Sequence, residues 1–219
     1  MNADKKLFKI LNEETQKRYK SLAKYYKGDV KPFINKISRD YEPSGKFPAH
    51  VLKQIRKIPR EDYYAVVCIL RGALPYSILF EAAGWKIYYV RCGRRGEHSP
   101  ANRKDLIFDN RVDKSIKEIK GKKVLLIDNN SPTGNTPLRT YEELKKLYNI
   151  KKAGLFLDYF IPEKNKPRDW LKKPFWKNKT RMKKFGKIFV ASDLKVSKKE
   201  SPALTKEFLE VLQGVIGSS

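Results

Sequence analysis

The chain has 219 residues, 40% of them hydrophobic and 12% aromatic, which is enough apolar surface for a core and excludes an intrinsically disordered chain. No apolar stretch reaches the ~18–20 residues that span a bilayer, and the first residues lack the apolar block of a secretory signal, so we expect a cytoplasmic protein without a membrane partner. The 49 Lys and Arg residues outnumber the 24 Asp and Glu residues and give a formal net charge of +25. That excess favours polyanionic partners such as nucleic acid or polyphosphate metabolites, and a solvated surface without a partner is the alternative.

The first 60 residues are predicted to form a helical N-terminal extension. Apolar residues recur there at roughly helical spacing and predict an amphipathic helix over residues 4–27, which Gly28 ends. A second, shorter helix is predicted over residues 49–57. The apolar face of the first helix is a surface that a second copy of the chain can use, so we expect that it can supply a homodimer interface. The residues of that face are Leu7, Leu11, Tyr19, Leu22 and Tyr26.

Residues 61–160 are predicted to form the core of the protein. Continuous apolar runs alternate with helical patterns, and this alternation predicts an α/β fold with a doubly wound, mainly parallel sheet and helices on both faces. Cys68 and Cys92 are too few for a disulfide scaffold or a four-ligand zinc site and are expected to be buried thiols. The predicted strands are Tyr64–Leu70, Ile87–Arg91, Val124–Ile127 and Ala153–Phe160, and the predicted helices run from Leu74 to about Gly84 and along the face of Leu138, Tyr141, Leu144 and Tyr148.

Residues 161–219 are predicted to pack on this core within a single domain. They comprise a basic and aromatic segment, a late strand at Gly186–Ala191 and a closing helix over residues 203–216. Within residues 164–187 the chain has eleven basic residues and one acidic residue. Lysines and aromatic rings together are typical of RNA or DNA binding, and Trp170, Phe175 and Trp176 are candidates for contact with a base. The alternative is that these rings fill a hood over the core and the lysines only solvate it.

Ligands of doubly wound sheets bind beyond the carboxyl ends of the strands, which selects the turns at residues 71–75 and 128–136. Backbone N–H groups at a helix N-terminus and the hydroxyls of Thr133 and Thr136 suit a phosphate, and Gly134 permits close approach of the backbone. Asp128 is suited to accept hydrogen bonds from sugar hydroxyls or to bind Mg²⁺ through water. The alternative is that the segment is turn chemistry alone, with Thr136 as a helix N-cap.

The run Val124–Thr136 resembles the signature of type I phosphoribosyltransferases, in which an apolar strand is followed by two acidic residues and a loop that ends Thr-Gly-x-Thr. In that family the loop binds the 5-phosphate of 5-phosphoribosyl-1-diphosphate (PRPP) and the acidic pair holds the ribose hydroxyls. The run Val66–Ala73 resembles the first-strand loop of the same family, which binds the pyrophosphate of PRPP. The resemblance implies transfer of ribose 5-phosphate from PRPP to a nitrogenous base, with Mg²⁺ as the cofactor and pyrophosphate released.

The same resemblance assigns roles to individual residues. Asp128 is expected to hold the ribose hydroxyls and the metal, with Asn129 beside it, and Arg71 and Gly72 are expected to meet the pyrophosphate. The basic interval Arg91–Lys104 occupies the position of the family's mobile loop, in which Arg94 and Arg95 would neutralise the leaving pyrophosphate and act with Asp128 and Arg71 in catalysis. The loop expected to bind the 5-phosphate is formed by Ser131, Thr133, Gly134, Asn135 and Thr136.

Two positions depart from the family pattern. Asn129 stands where the second acidic residue is usual, and Pro132 stands where purine-specific members have the acidic residue that handles the proton of the base. Some branches of the family also lack the acid that Asn129 replaces, whereas Pro132 argues against hypoxanthine or guanine as the acceptor. Together the two departures favour another nitrogenous base, or a PRPP-sensing regulator or nucleic-acid-binding protein that does not turn PRPP over. A nucleic-acid-binding α/β domain without any PRPP site is the third alternative.

Overall fold

The computed structural model describes residues 3–22, 47–70, 72–93, 106–129, 134–158, 183–191, 194–195, 197 and 199–217. Two short 3-10 turns, Arg60–Asp62 and Lys114–Ile119, accompany the regular elements. In chain order these elements are α1 (Ala3–Leu22), α2 (Phe47–Lys57), β1 (Ala65–Leu70), α3 (Leu74–Ala82), β2 (Ile87–Gly93), β3 (Ile107–Asp109), β4 (Val124–Asp128), α4 (Asn135–Tyr148), β5 (Ala153–Leu157), β6 (Phe185–Val190) and α5 (Glu200–Gly217).

The strands form one six-stranded sheet in the order β3-β2-β1-β4-β5-β6. All neighbouring strands are parallel except β2 and β3, which pair antiparallel at one edge. Every residue of β1, β4 and β5 is buried, because a sheet covered on both faces leaves no strand side facing water. The predicted doubly wound, mainly parallel α/β fold is therefore confirmed.

Helices cover both faces of the sheet, and successive residues of each strand supply the two cores in turn. Val66, Cys68 and Leu70 of β1 point to the core formed with α1, α2, α3 and α5. The alternate residues of β1 point to the opposite core, which contains α4 and the turn Lys114–Ile119. This alternation is the period of two that a β-strand imposes on its side chains.

Helix α1 packs its apolar face inside the chain. Leu7, Leu11 and Tyr19 are buried in the core shared with α3 and α5. Arg18 fixes the helix further, because its guanidinium lies 2.5 Å from Glu81 on α3 and donates to the hydroxyl of Tyr89 on β2 at 3.2 Å. Leu7, Leu11 and Tyr19 are therefore covered within the chain and are not free for a partner. Tyr26 lies outside the described residues, and the homodimer stays a prediction.

The structure changes several predicted boundaries. Arg91–Gly93, predicted to begin a mobile loop, instead extend β2 and pair with β3, a strand that was not predicted. Strand β5 ends at Leu157, and residues 159–160 lie outside the described residues. Helix α5 begins at Glu200, because Ser197 and Glu200 exchange hydrogen bonds between side chain and backbone as a capping box.

Two further expectations concern cysteines and membranes. Cys68 and Cys92 are both free and buried, as predicted, and burial raises the pKa of the Cys92 thiol to about 11. Among the described residues, the helices are too short or too polar for any of them to cross a membrane.

Leu7→Ala tests whether α1 belongs to the core. Leu7 has no exposed surface, so the substitution should lower the free energy of unfolding by about 2–5 kcal/mol through lost burial and a cavity. Urea denaturation at several protein concentrations measures the loss, which should not depend on concentration. Leu147→Ala, at a leucine that is 47% exposed, is the control and should change stability by less than about 0.5 kcal/mol. A loss that appears only at high protein concentration would instead indicate a dimer interface.

Candidate functional site

The candidate site lies where the connections of the sheet diverge, between the carboxyl ends of β1 and β4. From β1 the chain passes through α3 to β2 on one side, and from β4 it passes through α4 to β5 on the other side. The loops that follow the two strands therefore leave in opposite directions and open a crevice between them. In doubly wound sheets this divergence is the position at which ligands bind.

The two loops touch each other across this crevice. Gly72 follows β1, and a Cβ atom added to it would lie 2.5 Å from both Cγ and Oδ1 of Asn129 and 2.6 Å from its Nδ2. A side chain at residue 72 would therefore displace the amide of Asn129. The predicted pyrophosphate loop and the predicted ribose loop are thus adjacent through Gly72 and Asn129.

Asp128 is the last residue of β4 and lies at the floor of the crevice. Although it is at the end of a strand, the residue is only 6% exposed. Strand β4 is covered on both faces to its end, and this burial includes Asp128. One carboxylate oxygen, Oδ1, accepts the backbone N–H of Asn129 at 2.9 Å, which fixes the side chain at the start of the turn.

Helix α4 begins beside the same loop. Gly134 has φ 69° and ψ 7°, a left-handed conformation that favours glycine, and it is the N-cap of the helix. Asn135 and Thr136 form the first turn, whose N–H groups have no acceptor within the helix and attract anions. The alternative that Thr136 is the N-cap is wrong, because Thr136 lies inside the helix and its carbonyl accepts the hydroxyl of Thr140 at 3.0 Å.

Sequence analysis missed a second acidic residue at this edge, Asp158. It directly follows β5, and its backbone N–H donates to the carbonyl of Asn129 at 3.1 Å. Its Oδ2 accepts the hydroxyl of the buried Tyr76, on α3, at 2.5 Å. The available signal was positional: Asp158 ends the apolar run Ala153–Leu157 as Asp128 ends the run before it.

Asp158 differs from Asp128 in its surroundings. Burial raises its pKa to about 7, although the hydrogen bond from Tyr76 lowers it, and its Oδ1 makes no hydrogen bond within the described structure. A buried carboxyl with one unpaired oxygen is more stable with a proton on it than as an anion. Near neutral pH the site therefore has a carboxyl at Asp158 that carries a proton for part of the time.

The described residues include part of the predicted site. Asp128, Asn129 and Gly72 come together at the crevice, and Gly134, Asn135 and Thr136 form the start of α4 beside it. The remaining predicted site residues lie outside the described residues, so their roles stay predictions. They are Arg71, Arg94, Arg95, Ser131, Thr133, Trp170, Phe175 and Trp176.

Comparison with known proteins gives distant structural likenesses only. No family model and no curated protein sequence matches the chain. A hypothetical protein of Neisseria gonorrhoeae with bound ppGpp is 16% identical over 76% of this chain and 93% of its own, with a TM-score of 0.41. The orotate phosphoribosyltransferase of Aeropyrum pernix is 15% identical over 77% of this chain and 75% of its own, with a TM-score of 0.39. A hypoxanthine phosphoribosyltransferase of Staphylococcus aureus is 16% identical over 66% and 74%, with a TM-score of 0.37.

The likenesses are too distant to establish a function. What the protein does has to be argued from its own residues.

Asp158→Asn tests the protonation of the buried carboxyl. Because the folded-state pKa of about 7 lies above the ordinary value of 3.8, the folded protein binds a proton that the unfolded chain has released. The free energy of unfolding should therefore fall between about pH 4 and pH 7 in the natural protein. The Asn variant lacks this titration and should gain about 2.6 kcal/mol relative to the natural protein on going from pH 5 to pH 8, because about two of the pH units between the two pKa values are crossed in that interval.

Denaturant titrations at the two pH values give this comparison. Asp62→Asn removes an exposed carboxylate at the other edge of the sheet and is the matched control. Parallel pH profiles of Asp158→Asn and the natural protein would contradict the assignment.

A double-mutant cycle tests the contact between the loops. Gly72→Ala should cost about 1–3 kcal/mol of unfolding free energy, because the added methyl collides with the side chain of Asn129. In the Asn129→Ala background the same substitution should cost measurably less, with a coupling of about 0.5–3 kcal/mol. Gly93→Ala, where an added Cβ meets nothing within 4 Å, is the control. Additive effects of the two substitutions would show that the loops do not touch.

Proposed function

We propose that the protein binds PRPP at the crevice between β1 and β4 and transfers its ribose 5-phosphate to a nitrogenous base, with release of pyrophosphate. The observation that carries the proposal is the contact of Gly72 with Asn129, which joins two loops whose sequences independently suggest the two ends of one ligand. Their position at the divergence of the sheet supports a ligand site there.

The chemistry of each group suits a different part of PRPP. The N–H groups at the start of α4, beside the left-handed Gly134, are suited to the 5-phosphate. Asp128 and the amide of Asn129 offer acceptors and donors for the ribose hydroxyls. Gly72 has no side chain, so the backbone after β1 can approach the pyrophosphate closely.

The described residues of this site suit Mg²⁺ only as an ion that is bound together with the ligand's phosphates. The described residues contain no group of three or more His, Cys, Asp or Glu side chains that would enclose a metal. Mg²⁺ is commonly bound through one or two carboxylates together with phosphate oxygens and water, and Asp128 supplies one such carboxylate. Bound in this way, the ion would neutralise charge on the pyrophosphate as it leaves.

The proposed step exchanges two bonds at the anomeric carbon. The bond from C1 to the pyrophosphate oxygen breaks and its electron pair leaves with pyrophosphate, while a nitrogen of the base forms the new bond to C1 and loses its proton to water or to the departing pyrophosphate. Positive charge develops on the ribose during this exchange, and a fixed carboxylate such as Asp128 stabilises it. Asp158, one strand away, holds the turn through its backbone N–H, which donates to the carbonyl of Asn129. When its side-chain carboxyl is protonated, it would add no second negative charge to the site.

A second candidate is a regulator that binds PRPP without turnover. Asn129 favours it, because an amide contributes no charge beside Asp128 where the family resemblance leads one to expect a carboxylate. The identity of the acceptor base stays open. Pro132 argues against hypoxanthine and guanine and does not select any other base. Trp170, Phe175 and Trp176 remain candidates for contact with the base.

Thermal unfolding with PRPP and Mg²⁺ tests the binding site. PRPP at about 100 times its dissociation constant should stabilise the folded protein by about 2.7 kcal/mol, a shift of roughly 5–10 °C for a chain of this size. Asp128→Asn should remove most of the shift, whereas Asp62→Asn, an exposed carboxylate at the opposite edge, should leave it unchanged. Ribose 5-phosphate and pyrophosphate alone are the ligand controls.

Pyrophosphate release across a panel of nucleobases then separates the two candidates. Release that depends on PRPP, a base and Asp128 supports the transferase. A PRPP shift without release from any base supports the regulator. If PRPP gives no shift, or if Asp128→Asn shifts as much as the natural protein, the site assignment is wrong.

A further inference from the structure

The opposite edge of the sheet has a row of lysines. The residues that immediately precede β2, β4, β5 and β6 are basic, whereas Tyr64 precedes β1. Because these five strands are parallel, their first residues all lie at the same edge, away from the candidate site at the carboxyl ends. We call these residues the amino-edge lysine row: Lys86, Lys122, Lys123, Lys151, Lys152, Lys183 and Lys184.

The row crosses five neighbouring strands in the order β2-β1-β4-β5-β6. Four strand intervals of about 4.8 Å give a length of about 19 Å. One strand of a duplex has a phosphate for each ~3.4 Å of helix axis, and the phosphates of an extended single strand are farther apart, so the row is long enough to face several of them. A row of this kind suits an extended polyanion better than a compact metabolite.

Acidic side chains compensate only part of the row. Lys86 pairs with Glu118 at 2.6 Å, Lys123 lies 3.9 Å from Asp62, and Lys184 pairs with Glu142 at 2.6 Å. These pairs are solvent-exposed, and such pairs contribute little, so a phosphate can compete for the lysines at low cost. The other four lysines of the row have no acidic partner in the part of the chain that the structure describes: Lys122, Lys151, Lys152 and Lys183.

Besides its charge, the row has an exposed aromatic ring at the β1–β2 end and a cavity at the β5–β6 end. Tyr64 is 42% exposed, and the ammonium groups of Lys86 and Lys122 lie 5.6 Å and 5.4 Å from the centre of its ring. An exposed ring between two cations is suited to stack on a base of a strand whose backbone phosphates contact the lysines. At the β5–β6 end there is a cavity of about 730 Å³, lined by Tyr141, Glu142, Lys145 and four lysines of the row.

We propose that the amino-edge lysine row binds the backbone of single-stranded nucleic acid, with Tyr64 stacking on a base. Length, uncompensated charge and an exposed aromatic ring together distinguish this partner from an acidic protein, which would use the charges alone. Lys183 and Lys184 belong to the basic segment that the sequence singled out, but the rest of the surface comes from other loops. The surface lies at the opposite edge from the proposed PRPP site, so the two proposals can fail separately.

Binding of fluorescein-labelled oligouridine RNA, measured by anisotropy over a series of NaCl concentrations, tests the proposal. The natural protein should bind with an affinity that falls steeply with salt. Replacing Lys122, Lys151, Lys152 and Lys183 with Gln should lower the affinity at least tenfold and reduce the slope of log K against log salt by up to about 3, at about 0.7 per lost phosphate contact. Tyr64→Leu should weaken binding about fivefold or more with little change in that slope.

The control variant replaces four exposed lysines of α1 and α5 with Gln and so loses the same charge: Lys9, Lys17, Lys20 and Lys206. It should bind RNA nearly as well as the natural protein. Equal losses in the two four-lysine variants would mean that net charge alone attracts RNA and would overturn the proposal, as would the absence of RNA binding. Polyglutamate that competes as well as unlabelled RNA would also overturn it. All variants should keep any thermal shift with PRPP, which verifies folding and separates this test from that of the transferase.

Discussion

The central constraint on this structure is the burial of a parallel sheet on both faces. Strands β1, β4 and β5 are buried along their whole length because helices cover them on either side, and the charged side chains of this region, Asp128 and Asp158, are at or just beyond the strand ends. The carboxyl ends of β1 and β4 are adjacent, yet their connections leave in opposite directions, so the loops there have a crevice between them. The meeting of Gly72 with Asn129 follows from this arrangement.

Burial that extends to the strand ends also gives the two acidic residues there, Asp128 and Asp158, different surroundings for their carboxyl groups. Asp128 lies at the start of a turn where a backbone N–H satisfies one carboxylate oxygen, whereas the carboxyl of Asp158 accepts the hydroxyl of Tyr76 on α3 and has no other hydrogen bond among the described residues. Desolvation then raises the pKa of Asp158 to about 7. Two carboxyls on neighbouring strands thus differ in charge state because of what packs over them, which allows one to bind cations or hydroxyls while the other holds the turn.

Sequence patterns predicted the parts of this structure that depend on local periodicity. The strands at Val66 and Val124 and the face of Leu138 on α4 were predicted because apolar spacing alone specifies them. Strand β3 has three residues and exists through its pairing with Arg91–Gly93, so no run of its own indicated it. The properties of Asp158 depend on Tyr76, 82 positions earlier in the chain, and such a long-range contact leaves no local pattern. The same holds for the burial of the apolar face of α1 against α5.

Helix α4 runs from the carboxyl edge of the sheet to its amino edge, so the positive end of its dipole is at the first edge and the negative end is at the second. Its N-terminus lies beside Gly134 at the carboxyl edge, where the helix dipole itself adds positive potential. Its last turn has Lys145 and Lys146, which offset the negative end of the dipole at the edge where the lysine row begins. Under the function proposed above, an anion at the carboxyl edge would be held by backbone N–H groups whose positions the helix fixes. An anion at the amino edge meets flexible ammonium groups that respond to charge and spacing. A small, precisely held phosphate ester suits the first edge and a variable polyanion suits the second, so the +25 net charge need not disturb the selectivity of the crevice.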